Sequence, residues 1–542
     1  MIAFPLSFGF PAYTSIDAWA GSLIWSIIDK ATGPLFRPSS SFGNKHLAKK
    51  PIFQDLPLMP QRAGEERWLW LYGQLRAAIL DRRLRPGARM PSSRNLARQH
   101  GVSRGTVVAA FDHLRSEGYV EMRVGAGAFV ATTIPTIPDE AIAVTKRKVG
   151  DTRKQTTRAT LSKRGLLSAQ DVLPLPASHS LGKAFRAWEP AIDLFPTNLW
   201  SRIAGRVLRR APRSLYGQGD AKGFLPLRKA IAEYVGGARG VRCDAEQIIV
   251  TSGAQQALDL TSRLLLDPGD SAWLEDPGYP EALRALQAAG AKITPVPVDH
   301  EGIDVKWGQR HASGARLAYV TPANQFPLGT AMSLERRLSL LNWATTEGSW
   351  VIEDDYDSEY RYFGRPLAAL QNLDRAGCVI YVGTFTKMLF NALRLGFLVL
   401  PPPLVEPFAV ARTLTDRHPP TLDQAILAEF ILDGHFGHHV RQMRQIYAER
   451  LEVLCDAANQ RLGGMLQVQK AASGMRTIAW LKTGEKDTAV AERARARGLE
   501  VTALSQFSQR HSHPGALALG FAGCTPAELR RGVDVLATVL GA

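Results

Sequence analysis

From about residue 181 onward the chain repeats one pattern, in which a short apolar strand-like run is followed by a helical stretch. The repeats are QIIVTSGAQQALDL, SAWLEDPGYPEALRAL, RLAYVTPANQFP, SWVIEDDYDSEY and GCVIYVGTFTK. Strands that alternate with helices in this way form a mostly parallel sheet that carries helices on its faces. Each apolar run ends in polar residues and glycines, which therefore lie at the carboxyl ends of strands, where α/β domains bind ligands. The pattern predicts a large α/β domain over residues 181–542.

Lys387 lies at one of these strand ends, in the hydroxyl-rich segment TFTKMLF. A lysine in this setting can form a Schiff base with a carbonyl cofactor, although a solvated surface lysine explains Lys387 alone equally well. Upstream, Asp354 follows the apolar run VIE and suits a protonated pyridine nitrogen. Tyr356 could donate to a phenolate oxygen, and Tyr279 in EDPGYP could stack on a ring or simply be a core aromatic. The combination points to pyridoxal phosphate (PLP).

A phosphate site is predicted at the start of the helix in TSGAQQALDL. Ser252, Gly253 and Ala254 follow the run IIV, and a helix N-terminus beside a glycine offers free N–H groups and a positive dipole end. A helix capped only for stability has the same local sequence. Thr384 and Arg394 flank the lysine and add a hydroxyl and a guanidinium, which suit a phosphate dianion.

Residues 61–132 contain a second, smaller pattern. Apolar residues at helical spacing end at Arg85-Pro86-Gly87, a second helix begins near Ser92 and stops at Gly101, and a third begins at Ser103. Two strand-like runs then flank Gly125-Ala126-Gly127, which suits a β-hairpin. Three helices followed by a hairpin predict a winged helix-turn-helix.

In such a module the third helix enters the major groove by its N-terminus, where small and cationic side chains reach bases and phosphates. The predicted DNA-binding residues are Ser93, Arg94, Ser103, Arg104, Thr106 and Gly127. The alternative is a three-helix bundle whose arginines are merely solvated.

The charge distribution favours a double-stranded DNA partner. Residues 1–170 carry 25 Lys and Arg against 12 Asp and Glu, a net charge of +13, whereas the remaining 372 residues carry +3. A basic front segment on a nearly neutral body is typical of a nucleic-acid-binding module. Residues 1–60 are interpreted as a poorly structured extension and residues 133–180, rich in Pro, Thr, Lys and Arg, as a basic flexible linker.

Composition excludes several other classes of protein. The four cysteines are far apart and form no CxxC pair, which indicates reduced thiols rather than a zinc site or a disulfide framework. No run of eighteen apolar residues occurs, so no membrane span is predicted. We expect a cytoplasmic protein without a metal site.

These motifs resemble the MocR subfamily of GntR-type bacterial transcription regulators, in which a winged helix-turn-helix is fused to a fold-type I aminotransferase-like domain with a smaller C-terminal α+β subdomain. The matching segments are RPGARMPSSRNLARQHGVSRGTVVAAFDHLRSEGYV, LYGQGDAKGFLPLRKAIAEY, TSGAQQALDL, EDPGYP, EDDYDSEYRY and GTFTK followed by LRLGF, and they span about residues 67–542.

The resemblance assigns roles to individual residues. It implies that Lys387 forms the internal aldimine with PLP, that Asp354 pairs with the pyridine nitrogen, and that Tyr356 meets the phenolic oxygen. Tyr279 would stack on the ring, and Tyr216 would reach the cofactor of the other subunit in a head-to-tail homodimer. The phosphate would be held by Ser252, Gly253, Ala254, Thr384 and Arg394.

Two positions depart from the aminotransferase pattern. Phe326 stands where related aminotransferases have an asparagine, with Asn324 as a substitute, and Ala518 stands where they place a substrate-carboxylate arginine, with Arg476 as a possible stand-in. The sequence therefore predicts a regulator that senses PLP, or an amine or amino-acid effector, through an aldimine at Lys387. The alternatives are an active aminotransferase with a vestigial DNA-binding module and a DNA-binding repressor that has lost PLP.

Overall fold

The structure is a computed structural model that describes residues 58–60, 64–123, 126–133, 161–169, 184–364 and 367–541. The predicted extension lies almost entirely outside these residues, as does most of the predicted linker and Gly125 of the predicted hairpin. The chain divides into two compact units, one ending at Gln155 and the other beginning at Thr156, and this division falls inside the segment predicted to be a linker.

Within the described residues, the first unit comprises three helices followed by a two-stranded antiparallel sheet, as the sequence predicted. Its elements are α1 (Arg67–Leu80), α2 (Ser93–His100), α3 (Arg104–Ser116), β1 (Val120–Arg123) and β2 (Gly127–Val130). The apolar residues at helical spacing, including Leu71, Leu75 and Ile79 of α1, are fully buried in one small core. A core of this kind fixes α3 against α1, because each helix buries one stripe of its surface.

The second unit contains the large sheet. Its helices are α4 (Lys163–Ser168), α5 (Thr197–Arg210), α6 (Leu225–Arg239), α7 (Ala254–Leu265), α8 (Pro280–Ala288), α9 (Val305–His311), α10 (Leu334–Glu347), α11 (Leu370–Leu373), α12 (Pro402–Asp416), α13 (Thr421–Leu432), α14 (His435–Leu462), α15 (Asp487–Ala496) and α16 (Pro526–Leu540). Its strands are β3 (Ile248–Thr251), β4 (Ser271–Asp276), β5 (Lys292–Asp299), β6 (Gly302–Ile303), β7 (Leu317–Val320), β8 (Trp350–Asp355), β9 (Val379–Thr384), β10 (Gly396–Val399), β11 (Leu466–Val468), β12 (Arg476–Leu481), β13 (Thr502–Ala503) and β14 (Ala516–Gly520).

Eight of these strands form one mixed sheet in the order β3-β10-β9-β8-β7-β4-β5-β6. Strands β9, β8, β7, β4 and β5 are parallel, and β10 is antiparallel to both of its neighbours, so β3 runs in the same direction as β9. The strands that carry the candidate motifs therefore end at the same edge of the sheet. Central strands such as β7 and β9 are buried along their whole length, as expected for a sheet that is covered on both faces.

The smaller sheet lies near the C-terminus and has the order β11-β12-β14-β13, with every pairing antiparallel. The register sets Arg476 opposite Gly520 and Ile478 opposite Ala518. Because side chains alternate along a strand, Arg476, Ile478 and Ala518 lie on the same face of this sheet. Among the described helices, none combines the length and the apolar character that a membrane crossing requires.

Candidate functional site

The predicted DNA-binding residues of the first unit other than Gly127 lie at the starts of α2 and α3. The Ser103 hydroxyl accepts a hydrogen bond from the backbone N–H of Thr106 at 3.0 Å, which caps the helix. Arg104 is exposed, and its Nε lies 3.4 Å from the Ser93 hydroxyl, so the starts of α2 and α3 are adjacent. Arg94 is also exposed. Two exposed guanidinium groups thus lie beside helix N-termini, an arrangement suited to phosphates and base edges.

The predicted wing is the hairpin formed by β1 and β2. Gly127 is exposed at the start of β2 and has a φ of 96°, which L side chains rarely adopt. A Cβ atom there would also lie 3.7 Å from the guanidinium of Arg89. Glycine therefore suits this position both for the turn and for close approach to a neighbouring groove.

In the second unit Lys387 follows β9 at the carboxyl edge of the sheet. Its Nζ donates a hydrogen bond to the backbone oxygen of Trp188 at 2.9 Å. Burial lowers the pKa of Lys387 to about 8, against the opposing effect of the Asp357 carboxylate. A lysine with a lowered pKa holds more of the neutral amine near neutral pH, which is the form that attacks a carbonyl.

Asp354 lies near the end of β8, and its two carboxylate oxygens differ in their hydrogen bonding. Its Oδ2 accepts a hydrogen bond from the buried Tyr319 hydroxyl at 2.8 Å, whereas its buried Oδ1 has no hydrogen-bond partner within the described part of the chain. Burial raises the pKa of Asp354 to about 7. A buried acceptor without a donor is costly, so Oδ1 fits an N–H group supplied by a ligand, such as a pyridinium.

Tyr356 and Asn324 lie side by side and are hydrogen-bonded. The Tyr356 hydroxyl donates to the backbone oxygen of Asn324 at 2.8 Å and accepts from Nη2 of Arg476 at 2.8 Å. The Asn324 amide donates to Oδ1 of Asp357 at 2.7 Å. Burial raises the pKa of Tyr356 well above its usual value, so its hydroxyl stays protonated.

The predicted phosphate residues surround the start of α7. Gly253 is the N-cap, with a φ of 86°, and a Cβ atom there would lie 3.0 Å from Nη2 of Arg394. Nη2 of Arg394 donates to the backbone oxygen of Ser252 at 3.2 Å. Thr384 ends β9, and the next hydroxyl along the chain, on Thr386, is buried and has no partner in the described segments. The N-terminus of α7 and the guanidinium of Arg394 therefore meet at Gly253 and form a small glycine-lined cradle that fits a phosphate.

Aromatic rings fill the side of the site that faces the small sheet. Phe326 stacks on Trp188 with ring centres 5.0 Å apart and meets Tyr279 edge-on at 5.2 Å. Tyr279 is the N-cap of α8, which puts it close to the carboxyl end of β4. Tyr216, predicted to serve a second subunit, is 61% exposed on this single chain.

Sequence reasoning missed several residues of this site, among them Trp188 and Tyr319. Trp188 reaches Lys387 from 199 residues away, and no local pattern marks it. Tyr319 belongs to the apolar run LAYV, and its bond with Asp354 depends on β7 and β8 being neighbours. The contact of Tyr319 with Asp354 could have been predicted only if the order of the strands had been known.

The buried carboxyl groups predict an unusual pH dependence of stability for the cofactor-free protein. Burial raises the pKa of Asp354, Glu275 and Glu353 from 3.8 or 4.5 to about 7. At a pH between the pKa of these carboxyl groups in the unfolded state and their pKa in the folded state, the folded state binds more protons. The free energy of unfolding therefore decreases as the pH rises toward 7. Burial lowers the pKa of His439, which acts in the opposite sense through a single group.

We therefore expect the thermal unfolding midpoint of the cofactor-free second unit to fall between about pH 5.5 and about pH 7.5 at constant ionic strength. Scanning calorimetry across this range measures it. A midpoint that rises over the same range would contradict the assignment of these carboxyl groups as buried and protonated.

The fold and the two sites define a DNA-binding transcription regulator with an aminotransferase-like domain. Residues 70–130 match the gntR family of bacterial regulatory proteins, and residues 197–536 match the aminotransferase class I and II family. With relatives of the same composite organisation along most of its length, the chain belongs to the MocR-type regulators of the GntR family.

The relatives include both regulators and enzymes. The chain is 40% identical over 469 residues to the probable rhizopine catabolism regulatory protein MocR of Rhizobium meliloti, covering 86% of this chain and 92% of that protein. It is 32% identical over 450 residues to the pyridoxine biosynthesis transcriptional regulator PdxR of Corynebacterium glutamicum, covering 83% and 90%. Among solved structures, the kynurenine aminotransferase of Pyrococcus horikoshii in complex with PMP is 27% identical, with a TM-score of 0.62, over 67% of this chain and 91% of that one.

Proposed function

We propose that this regulator holds PLP covalently at Lys387 and that PLP, or an amine or amino-acid effector that reacts there, controls its binding to an operator. The observation that carries the proposal is that two groups lie at the same edge of the sheet. One is the Lys387 amine, whose pKa is lowered, and the other is the buried Oδ1 of Asp354, which has no hydrogen-bond partner in the described residues. An aldehyde-bearing pyridine ring needs both groups. The glycine-lined cradle at the start of α7 adds a place for its phosphate.

When bound, PLP supplies an aldehyde that condenses with amines and a ring that withdraws electrons. The roles of the residues follow from their contacts. Asp354 would accept a hydrogen bond from the ring N–H, and the Tyr319 hydroxyl keeps that carboxylate oriented. Tyr356 keeps its proton, which it donates to the backbone oxygen of Asn324 and would redirect toward the ring oxygen of a bound cofactor. The aromatic rings of Phe326 and Tyr279 exclude water. The phosphate would be held by Ser252, Gly253, Ala254, Thr384 and Arg394.

An effector amine would displace Lys387 and release its amine from the cofactor. A ligand shifts a conformational equilibrium only if it binds the two conformations with different affinities. The exchange of Lys387 for an effector amine would supply a large difference between these affinities. A head-to-tail homodimer, with Tyr216 reaching the second subunit, would couple two such sites to two DNA-binding modules. The high exposure of Tyr216 on the single chain supports this arrangement.

The test is a footprint and an anisotropy titration on the DNA upstream of the protein's own gene. We expect specific binding at moderate salt, with an affinity that changes when PLP is added, because the basic first unit supplies binding and the second unit supplies control. Sequence-independent binding, or specific binding that PLP leaves unchanged, would contradict the proposal.

An amino-acid aminotransferase is the second candidate, favoured by the likeness to solved aminotransferases. Ala518 opposes it, because no guanidinium projects from that position to hold a substrate carboxylate. The purified protein can be mixed with amino acids and a keto-acid acceptor, and the visible spectrum followed. Repeated turnover would favour the enzyme, whereas a single persistent spectral change without product would favour the sensor.

A further inference from the structure

Residues 184–191 form a strap that contacts the candidate site through its middle. Along the chain the strap follows the segment predicted to be a linker, residues 133–180. The backbone oxygen of Trp188, in the middle of the strap, accepts the hydrogen bond from Nζ of Lys387 at 2.9 Å. Among the described residues, Lys387 alone donates to this oxygen. The free lysine amine therefore holds the middle of the strap.

The two ends of the strap are attached to the rest of the second unit. The backbone of Phe185 pairs with that of Gly520 at the end of β14, whose N–H donates to the Phe185 oxygen at 2.9 Å. At the other end, the N–H of Ala191 donates to the Tyr447 hydroxyl at 2.9 Å. Between these attachments, the bond from the lysine is the one hydrogen bond that joins the strap backbone to another described part of the chain.

Glycines beside the small sheet let the strap lie directly against it. A Cβ atom at Gly520 would fall 1.9 Å from the backbone oxygen of Arg186, and one at Gly523 would fall 2.9 Å from that of Glu189. Real Cβ atoms essentially never come this close to another atom, so a side chain at either position would displace the strap. Such packing is short-ranged, since a gap of about 0.5–1 Å already removes a quarter to a half of the attraction. The strap is therefore seated in a groove that a small displacement takes it out of.

Covalent attachment at Lys387 removes the donor that holds the strap. When the neutral amine condenses with an aldehyde, a C=N bond replaces the two N–H bonds and the C=O bond, and one water leaves. The nitrogen then carries no proton, or one after protonation, whereas the free ammonium carries three. That one proton cannot turn toward Trp188, because the C=N bond fixes its direction. The Trp188 oxygen thus loses its partner, which is unfavourable for a carbonyl shielded from water.

We infer that the strap carries the state of Lys387 to the linker: the free amine holds the strap in its groove, and attachment of PLP at Lys387 releases it. The inference deepens the proposed control of DNA binding by PLP and rests on it. Release acts on the end of the strap from which the chain leads back to the first unit, so a covalent event at the sheet edge biases a two-state element joined to the DNA-binding module. An effector amine that displaces Lys387 would restore the free amine and reseat the strap.

Hydrogen exchange of the full-length protein, read by mass spectrometry, tests the release. The amides of Ala191 and Gly520 are bonded to the Tyr447 hydroxyl and the Phe185 oxygen, so they report whether the strap is seated. We expect PLP to speed their exchange about twofold to tenfold, the range for loss of one hydrogen bond of ordinary net strength. Cofactor-free Lys387→Met lacks the donor and should exchange these amides as fast as the PLP-loaded wild type. Amides of the central strand β7 should not change.

A disulfide between the strap and its groove tests whether the release controls DNA binding. An ideal Cβ atom at Gly523 lies 3.3 Å from Cβ of Glu189, close to the separation of about 3.5–4.5 Å in disulfides. The variant carries Glu189→Cys and Gly523→Cys, together with Cys524→Ala because the adjacent Cys524 thiol is free and could mispair. Oxidation should form the disulfide and lock the strap.

The oxidised variant should still take up PLP, as followed by its visible spectrum, but its affinity for the DNA upstream of its own gene should no longer respond to PLP. Reduction with a phosphine should restore the response. The reduced form is the matched control, because it has the same sequence. Thermal unfolding of both forms identifies a failure to fold, in which case the exchange of the wild-type protein with and without PLP decides.

Four results would overturn the inference. They are unchanged exchange of the strap amides on addition of PLP, failure of the two cysteines to form a disulfide in the folded protein, failure of the oxidised variant to take up PLP, and an equal response of the locked and reduced forms to PLP.

The strap inference and the proposed function fail in different ways. If PLP attaches to Lys387 and changes the DNA affinity of the locked and reduced forms alike, the proposed function stands and the strap inference falls. If PLP does not attach, or changes the DNA affinity of neither the wild type nor the reduced form, the proposed function falls. Faster exchange in cofactor-free Lys387→Met would then still show that the lysine holds the strap.

Discussion

Lys387→Ala should abolish covalent attachment of PLP. Alanine has no amine to condense with the aldehyde, so the loss is complete rather than graded. After incubation with PLP and reduction with borohydride, mass spectrometry should find the cofactor on the wild-type chain at Lys387 and none on the variant. Reduced PLP at Lys387 also tests the predicted site directly, without requiring the operator or the effector.

Two further variants separate the amine of Lys387 from its charge. Lys387→Arg keeps a cation but no primary amine, so it should also lack the PLP adduct. Lys306→Ala removes an exposed lysine at the start of α9 and should label like the wild type. The proposal fails if Lys387→Ala still acquires the same adduct in the site, or if its DNA binding keeps the wild-type response to PLP.

The positions of the site residues could be predicted because the sheet brings strand ends together. Ser252 follows β3, Thr384 ends β9 and Asp354 lies near the end of β8, three separate segments whose strands run in one direction. Each sequence motif is ambiguous by itself. The motifs become neighbours because they lie at the same edge of the sheet. This shared edge can be predicted from the alternation of strands and helices alone.

The contacts that tune the site could not be predicted, because they depend on strand order and on distant loops. The antiparallel insertion of β10 between β3 and β9 carries no signal in its own sequence. The contact of Trp188 with Lys387 joins residues 199 positions apart. The sequence predicts Asn324 as a substitute for the aminotransferase asparagine, but it does not predict the hydrogen bond that the Asn324 amide donates to Asp357.

Phe326 illustrates how a departure from a family pattern acquires a physical meaning. Sequence comparison marks it as the absence of an asparagine. In the fold its ring lies between Trp188, Tyr279 and the guanidinium of Arg476, so it replaces a polar contact with an apolar surface. The departure therefore removes a hydrogen-bonding group from this side of the site.

The second large effect is expected at the DNA-binding surface. Arg94 and Arg104 are exposed at the starts of α2 and α3, where a winged helix-turn-helix meets the backbone and the base edges. Replacing both with alanine should cost at least about 1–3 kcal/mol of operator binding, the loss expected for one base contact, because a phosphate contact is lost as well. Titrations of labelled operator DNA at several salt concentrations measure this loss.

The salt dependence distinguishes the two arginines. Loss of a phosphate contact weakens all sequences alike and lowers the slope of log affinity against log salt by about 1, whereas loss of a base contact relaxes specificity at one position. We expect the first behaviour for Arg94→Ala and the second for Arg104→Ala. Arg115→Ala, an exposed arginine in the last turn of α3 and about 16 Å along the helix from Arg104, removes the same charge and should change affinity little. If Arg115→Ala weakened binding as much as Arg104→Ala, the first unit would bind DNA by net charge alone, and the N-terminus of α3 would not be the reading element.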